Sequence, residues 1–106
     1  MNLPQINERD EMLKEASLDF ALEHDKIRKE EKIGYDDIFN TLSLIIINQD
    51  KEEDKRETVS NYHKKLEKIL KNIEEKYGLT YGETINILVS EMKVYSRSLV
   101  IAERKN

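Results

Sequence analysis

Apolar residues recur along most of this chain at alternating intervals of three and four residues. The longest such series lies in the last quarter of the sequence and comprises Ile85, Leu88, Met92, Tyr95, Leu99 and Ala102. Because an α-helix completes a turn in 3.6 residues, this spacing keeps the apolar side chains on one face. The pattern predicts an amphipathic helix that packs against other helices.

Similar spacing predicts three further helices. We place the four at Asn7–Lys32, Asp36–Gln49, Lys55–Tyr77 and, from a Thr80 cap, up to Lys105. Residues 41–47 are rich in β-branched side chains and also fit a buried strand, but no second strand of similar character is available to pair with them. The sequence therefore predicts an all-α fold.

Three helix ends carry recognisable signals. Gly34 is expected to end the first helix, and Gly78 is expected to end the third in a left-handed conformation, followed by the apolar Leu79 of a Schellman motif. Thr80 and Glu83 are spaced as a capping box that begins the fourth helix.

The chain has 106 residues, which suits one domain with a single core. Residues 48–57 contain no apolar member, and we interpret them as an exposed joint between a hairpin at 7–49 and a second at 55–105. Short connections favour antiparallel neighbours, so we predict an up-down-up-down four-helix bundle spanning 1–106. Helix two, at about 22 Å, is expected to be shorter than the others and to leave part of its groove open.

Several classes of protein are excluded by composition. The absence of cysteine excludes disulfide scaffolds, thiol nucleophiles and cysteine metal sites. The longest apolar run, residues 44–47, is far shorter than the roughly 20 residues of a membrane span. The N-terminus lacks the basic start and apolar stretch of a secretory signal. We therefore expect a cytoplasmic protein that does not enter a membrane.

Charge is divided unevenly along the chain. Residues 1–53 carry 7 basic and 14 acidic side chains, a net charge of −7, whereas residues 54–106 carry 11 and 8, a net charge of +3. We expect the acidic half to lie against the basic half.

A second set of apolar residues lies away from the predicted inner faces. These residues are Leu18 and Leu22 in helix one and Ile87, Val94 and Ile101 in helix four. Apolar stripes of this kind mark interfaces when they are exposed. The first hypothesis is therefore a small non-enzymatic protein that acts through protein–protein interaction, as an adaptor or regulator, and forms a homodimer through these residues.

Helix three carries a basic patch, formed by Lys64, Lys65, Lys68 and Lys71. Such a patch neutralises phosphates in nucleic-acid-binding proteins, although lysines on the outer side of a bundle also serve only solubility. Binding of nucleic acid through this patch is the second hypothesis.

Arg56 and His63 form the one weak enzymatic motif. Their spacing resembles the Arg-x(4–6)-His motif of the HEPN ribonucleases, which are small, helical and dimeric. The resemblance implies that Arg56 orients a phosphate and that His63 acts as acid or base, but Glu57 stands where that family usually has an uncharged polar residue. A HEPN-like ribonuclease is the third hypothesis.

No metal or cofactor is expected. Di-metal bundles use Glu-x-x-His pairs, and the residues three before His24 and His63 are Ala21 and Ser60.

Overall fold

The computed structural model describes the backbone of residues 3–47 and 56–105 and the side chains of residues 8–47 and 56–97. Four helices account for nearly all of this: α1 Leu3–Glu30, α2 Tyr35–Ile46, α3 Glu57–Tyr77 and α4 Tyr81–Lys105. No strand occurs in the described backbone, which confirms the all-α prediction. Within the described residues, no helix combines the length and the apolar character that crossing a bilayer requires.

The junction between α3 and α4 has the predicted local structure. Gly78 adopts the left-handed conformation with φ of 60°, and the Leu79 N–H donates to the Glu74 carbonyl at 3.0 Å, as a Schellman motif requires. The Thr80 N–H donates to a Glu83 carboxylate oxygen at 2.9 Å, while the Glu83 N–H donates to Thr80 Oγ1 at 3.2 Å. The predicted capping box is therefore confirmed.

The prediction that Gly34 ends the first helix is wrong. α1 already ends at Glu30, so the left-handed position falls on Lys32, with φ of 54°. The Ile33 N–H closes the helix by donating to the Arg28 carbonyl at 2.9 Å. Gly34 is extended, with φ of −78°, and precedes α2 as its N-cap.

The closest helix packing joins α1 to α3 and α2 to α4. Contacts between α1 and α4 follow the same order along both helices. Arg9 pairs with Glu83 near the start of each helix, and further along the Arg28 guanidinium lies 5.8 Å from the centre of the Tyr95 ring. α1 and α4 therefore run in the same direction.

α2 and α3 run in the opposite direction. Asp37, near the start of α2, pairs with Arg56, which immediately precedes α3, and the Tyr35 ring packs against that of Tyr95. The resulting order, up, down, down, up, differs from the up-down-up-down order expected from the sequence. α2 and α3, which are consecutive along the chain, thus begin at the same end of the bundle.

The core lies between the four helices and contains aromatic and aliphatic side chains of each: Ala16, Phe20, Ile27, Ile33, Ile38, Leu42, Val59, Tyr62, Leu66, Leu70, Ile73, Ile87, Leu88 and Tyr95. Burying this apolar surface is the main source of stability for such a bundle.

Basic residues in and just before α3 form ion pairs with acidic residues of the first half of the chain. Lys65 lies 2.8 Å from Glu31, Lys76 lies 2.9 Å from Asp19, and Arg56 lies 2.7 Å from Asp37. Each pair joins a base of the second half of the chain to an acid of the first half, as expected.

Candidate protein-binding groove

An open groove runs along the outer side of the α2–α4 pair. It encloses about 570 Å³ and is lined by Phe39, Ser43, Ile46, Ile47, Val89, Met92, Lys93, Ser96 and Arg97. The opposite sides of the two helices are buried, through Ile38 and Leu42 of α2 and Leu88 of α4. Among the described residues no third element covers the outer side, so a second row of apolar residues on each helix lines an open groove. The groove lies beside α2, the helix that the sequence predicts to leave part of its groove open.

The two charged residues of the groove are both cationic. Lys93 and Arg97 are four residues apart on α4 and exposed, so their side chains lie on the same side of the helix. Neither makes an ion pair with another residue in the described part of the chain. The groove therefore combines an apolar floor with a basic rim.

The five residues predicted to form an interface differ in their exposure to solvent. Leu18 and Leu22 are 61% and 56% exposed on α1, and Val94 is 56% exposed on α4. Ile87 instead belongs to the core and is 5% exposed, so it is unavailable to a partner. The side chain of Ile101 lies outside the described residues.

Ile87 and Val94 differ because a helix changes neighbours along its length. A seven-residue interval keeps two side chains within about 20° of one another on a helix. Packed helices cross at an angle, however, so the same helix face is covered at one level and open at another.

The lysine patch of α3 is only partly available. Lys65 is held by Glu31 at 2.8 Å and Glu30 at 3.5 Å, both from the end of α1. Lys64, Lys68 and Lys71 are exposed. The acidic end of α1 therefore lowers the positive potential of the patch that the second hypothesis requires.

Arg56 and His63 each lie beside a carboxylate. Arg56 donates to the two carboxylate oxygens of Asp37 at 2.7 and 3.2 Å. His63 is only 7% exposed, and its Nε2 lies 2.9 Å from Glu67 Oε1 in the same helix. A HEPN-like ribonuclease would need both side chains to meet one phosphate, whereas here Arg56 is paired with Asp37 and the His63 side chain is almost entirely buried.

A polar cluster that the sequence did not indicate lies in the core. The His24 ring is fully buried. Its Nδ1 is 2.8 Å from Glu91 Oε2, and its Nε2 is 2.5 Å from the Tyr62 hydroxyl. The cluster therefore joins α1, α3 and α4 through a single imidazole.

The N–H and O–H hydrogens of this cluster each have a hydrogen-bond acceptor when His24 is neutral and carries its proton on Nδ1. The Nδ1–H then donates to the Glu91 carboxylate, and the Tyr62 hydroxyl donates to Nε2. Burial raises the pKa of Tyr62 far above its ordinary value, with a smaller contribution from the neighbouring Tyr95 and Glu91, so this hydroxyl keeps its proton.

The neighbouring Tyr95 has a similar electrostatic environment. Its ring meets that of His24 edge-on, with 5.3 Å between the ring centres. Burial, followed by the charge of Glu91, raises the pKa of Tyr95. Since His24 and Tyr62 are closed to solvent, the cluster positions three helices rather than presenting an acid or base to a substrate.

No group of three or more His, Asp or Glu side chains is arranged to hold a metal ion among the residues that the structure describes. Comparison of the chain with protein-family models, with curated protein sequences and with solved structures finds no match. The function must therefore be inferred from the surface itself.

Sequence reasoning missed the groove residues because nothing in their local pattern distinguishes them from core. Phe39 and Ile46 flank the inner stripe of α2, and Met92 belongs to the inner series of α4. Their exposure to a groove depends on which helices pack against them. The only early signal was the excess of apolar residues over what one inner face requires.

Proposed function

We propose that this chain is a small non-enzymatic helical protein that acts by binding protein surfaces, beginning with a second copy of itself. In this proposal it is a single cytoplasmic domain, with α2 as the short helix. An adaptor or regulator works in this way, through the shape and charge of its surface.

The groove between α2 and α4 carries this proposal. It is open and mainly apolar, and its two charged residues both belong to α4, as in sites where an amphipathic helix lies against a pair of helices. Leu18, Leu22 and Val94 add exposed apolar area of the kind that interfaces bury.

Light scattering coupled to size exclusion tests the proposal over a wide range of protein concentration and at two salt concentrations. The expected result is a mass near twice the 12.6 kDa of the monomer. A monomer at every concentration would overturn self-association.

Two substitutions test whether the apolar surface is responsible. Ile47→Glu changes an exposed groove residue, and Val94→Glu changes an exposed residue of α4 that does not line the groove. Both are expected to weaken association and to keep the helix content measured by circular dichroism. Tyr81→Glu, at a residue that is 68% exposed and does not line the groove, is the matched control and should associate normally. Equal association of all three variants would show that another surface is used.

A further inference from the structure

The polarity of the α2–α4 groove changes along its length. Its two cations, Lys93 and Arg97, and the hydroxyl of Ser96 all come from the later part of α4 that lines it. The earlier lining residues of α4, Val89 and Met92, are apolar. Along the direction of α4, the groove therefore changes from apolar to cationic.

The wall formed by α2 has the same polarity, because α2 runs antiparallel to α4. Ile45, near the end of α2, lines a separate small cavity together with Ile85 and Leu88, near the start of α4. The end of α2 therefore lies at the level of the first half of α4. Ile46 and Ile47 follow Ile45 and line the groove, so they extend its apolar end.

The size and the lining of the groove suit a small amphipathic molecule. Its volume of about 570 Å³ lies within the roughly 300–1,000 Å³ that is typical of ligand pockets, which combine apolar walls with a few polar groups. No acidic side chain is among the described residues that line it. Since both charged groups are cationic and lie toward one end, the complementary ligand has an anionic head and an apolar tail.

The cationic end is suited to a carboxylate. Lys93 and Arg97 are four residues apart and therefore lie on the same side of α4. A guanidinium group binds a carboxylate through two parallel hydrogen bonds, and a neighbouring ammonium group adds a further charged donor. From the level of Val89 to that of Arg97, α4 rises by about 12 Å, which an extended medium-length alkyl chain can follow.

We propose that the α2–α4 groove binds a medium-chain fatty acid. The carboxylate lies at Lys93 and Arg97, and the alkyl chain runs past Met92 and Val89 toward Ile47. The ligand covers the same apolar residues that a second copy of the chain would cover, so the two exclude each other and the fatty acid regulates self-association. Only this regulation rests on the proposed function, since the binding itself needs one copy of the chain.

Titration calorimetry of the full chain with dodecanoate, below the concentration at which dodecanoate forms micelles, measures the binding. We expect one molecule per groove. Decanoate has a shorter tail and should bind roughly 5–15-fold more weakly, since a fully buried methylene group contributes about fourfold. Dodecyltrimethylammonium has the same tail as dodecanoate with the opposite charge, and it should bind at least about tenfold more weakly. Equal affinities for the three compounds would overturn the proposal.

Methionine signals show where the ligand lies. Met92 lines the groove, whereas Met12 belongs to α1 and is outside it. In NMR spectra of protein with isotopically labelled methionine methyl groups, dodecanoate should shift the Met92 signal and leave that of Met12 in place. The variant Met92→Leu identifies the signal. A Met92 signal that does not respond to bound dodecanoate would overturn the assignment of the groove.

The variant K93E/R97E tests the role of the two cations. It should bind dodecanoate at least about tenfold more weakly than the unmodified protein. The matched control is K64E/K68E, which makes the same charge change at the same four-residue spacing on exposed residues of α3, and it should bind dodecanoate normally. Circular dichroism of both variants checks that the helices are retained. Equal weakening in both variants would overturn the proposed head-group site by tracing the effect to total charge.

Light scattering with and without dodecanoate separates this inference from the proposed function. A dimer of the unmodified protein should become monomeric when the groove is saturated, and a dimer that persists with dodecanoate bound would overturn the regulation. A dimer that binds no dodecanoate would overturn the ligand site and uphold self-association. A monomer that binds dodecanoate as expected would overturn self-association and uphold the ligand site.

Discussion

His24 of α1 and Glu91 of α4 meet in the core through a 2.8 Å contact between Nδ1 and a carboxylate oxygen, although 67 residues separate them along the chain. The second ring nitrogen of His24 meets the Tyr62 hydroxyl of α3. A buried polar contact of this kind is satisfied only when all three helices take one position, so it makes a particular packing more favourable than its alternatives.

The substitution His24→Ala should destabilise the protein by about 2–4 kcal/mol, because the buried Glu91 carboxylate loses its contact with the His24 ring. Urea unfolding followed by circular dichroism measures the free energy of unfolding. Glu91→Gln keeps an acceptor for the Nδ1–H and should cost about 1 kcal/mol. Losses of the same size in both variants would contradict the assigned contact.

Tyr62→Phe removes one hydroxyl and leaves His24 Nε2 without its partner. The expected loss is about 1–2 kcal/mol in the free energy of unfolding. Tyr81→Phe removes the same atom at a residue that is 68% exposed, and it should leave stability unchanged. If the two variants unfold at the same urea concentration, the Tyr62 hydroxyl does not contribute to the core.

The contact of Asp19 with α3 predicts a pH dependence. Hydrogen bonds from Tyr77 and then from Lys76 lower the pKa of Asp19. A carboxylate with a lowered pKa stabilises the folded state above its unfolded pKa of about 4, and this contribution disappears as the pH falls through the folded value.

Asp19→Asn should therefore be less stable than the unmodified protein at pH 7, by a small amount because the group is at the surface. The difference should shrink as the pH is lowered below about 4. Urea midpoints of both proteins across this range provide the measurement, and a difference that stays constant would exclude the Asp19 carboxylate as its source.

Gly78 and Gly82 lie four residues apart and should respond oppositely to alanine. Gly78 has φ of 60°, so Gly78→Ala should cost about 1 kcal/mol although no atom lies within 4 Å of the added methyl group. Gly82 lies in the first turn of α4 with equally open space, so Gly82→Ala should gain roughly 0.5 kcal/mol. Thermal unfolding separates the two, and shifts in the same direction would contradict the assignment of the α3 end.

Local signals predicted the local structure well. Thr80, Glu83 and Gly78 act through hydrogen bonds and backbone angles within a few residues, and these are the same in any fold. The first helix end was misplaced for a related reason. Glycine is the usual residue at the left-handed position that ends a helix, so the sequence predicts this role for Gly34. In the structure Lys32 holds that position, and the backbone strain of a left-handed lysine cannot be recognised from the sequence pattern.

The exposure of the predicted interface residues follows from the sequence only in part. Leu18, Leu22 and Val94 are exposed, as an interface requires, because their helix faces point away from the inner series. Ile87 has the same sequence signal as Val94, yet it is buried by its neighbours. Met92 has the signal of a core residue, yet it lines the groove.

The sequence by itself determined four amphipathic helices, most of their boundaries and the separation of charge between the two halves. Tertiary structure decided that α1 packs with α3 and α2 with α4, that His24 meets Glu91 and Tyr62, and that a groove stays open beside α2. The physical reason is that the two kinds of interaction act over different separations along the sequence. Helix periodicity depends on residues three or four positions apart, whereas the pairing of helices is a competition among whole apolar faces that many arrangements of the same periodicity can satisfy.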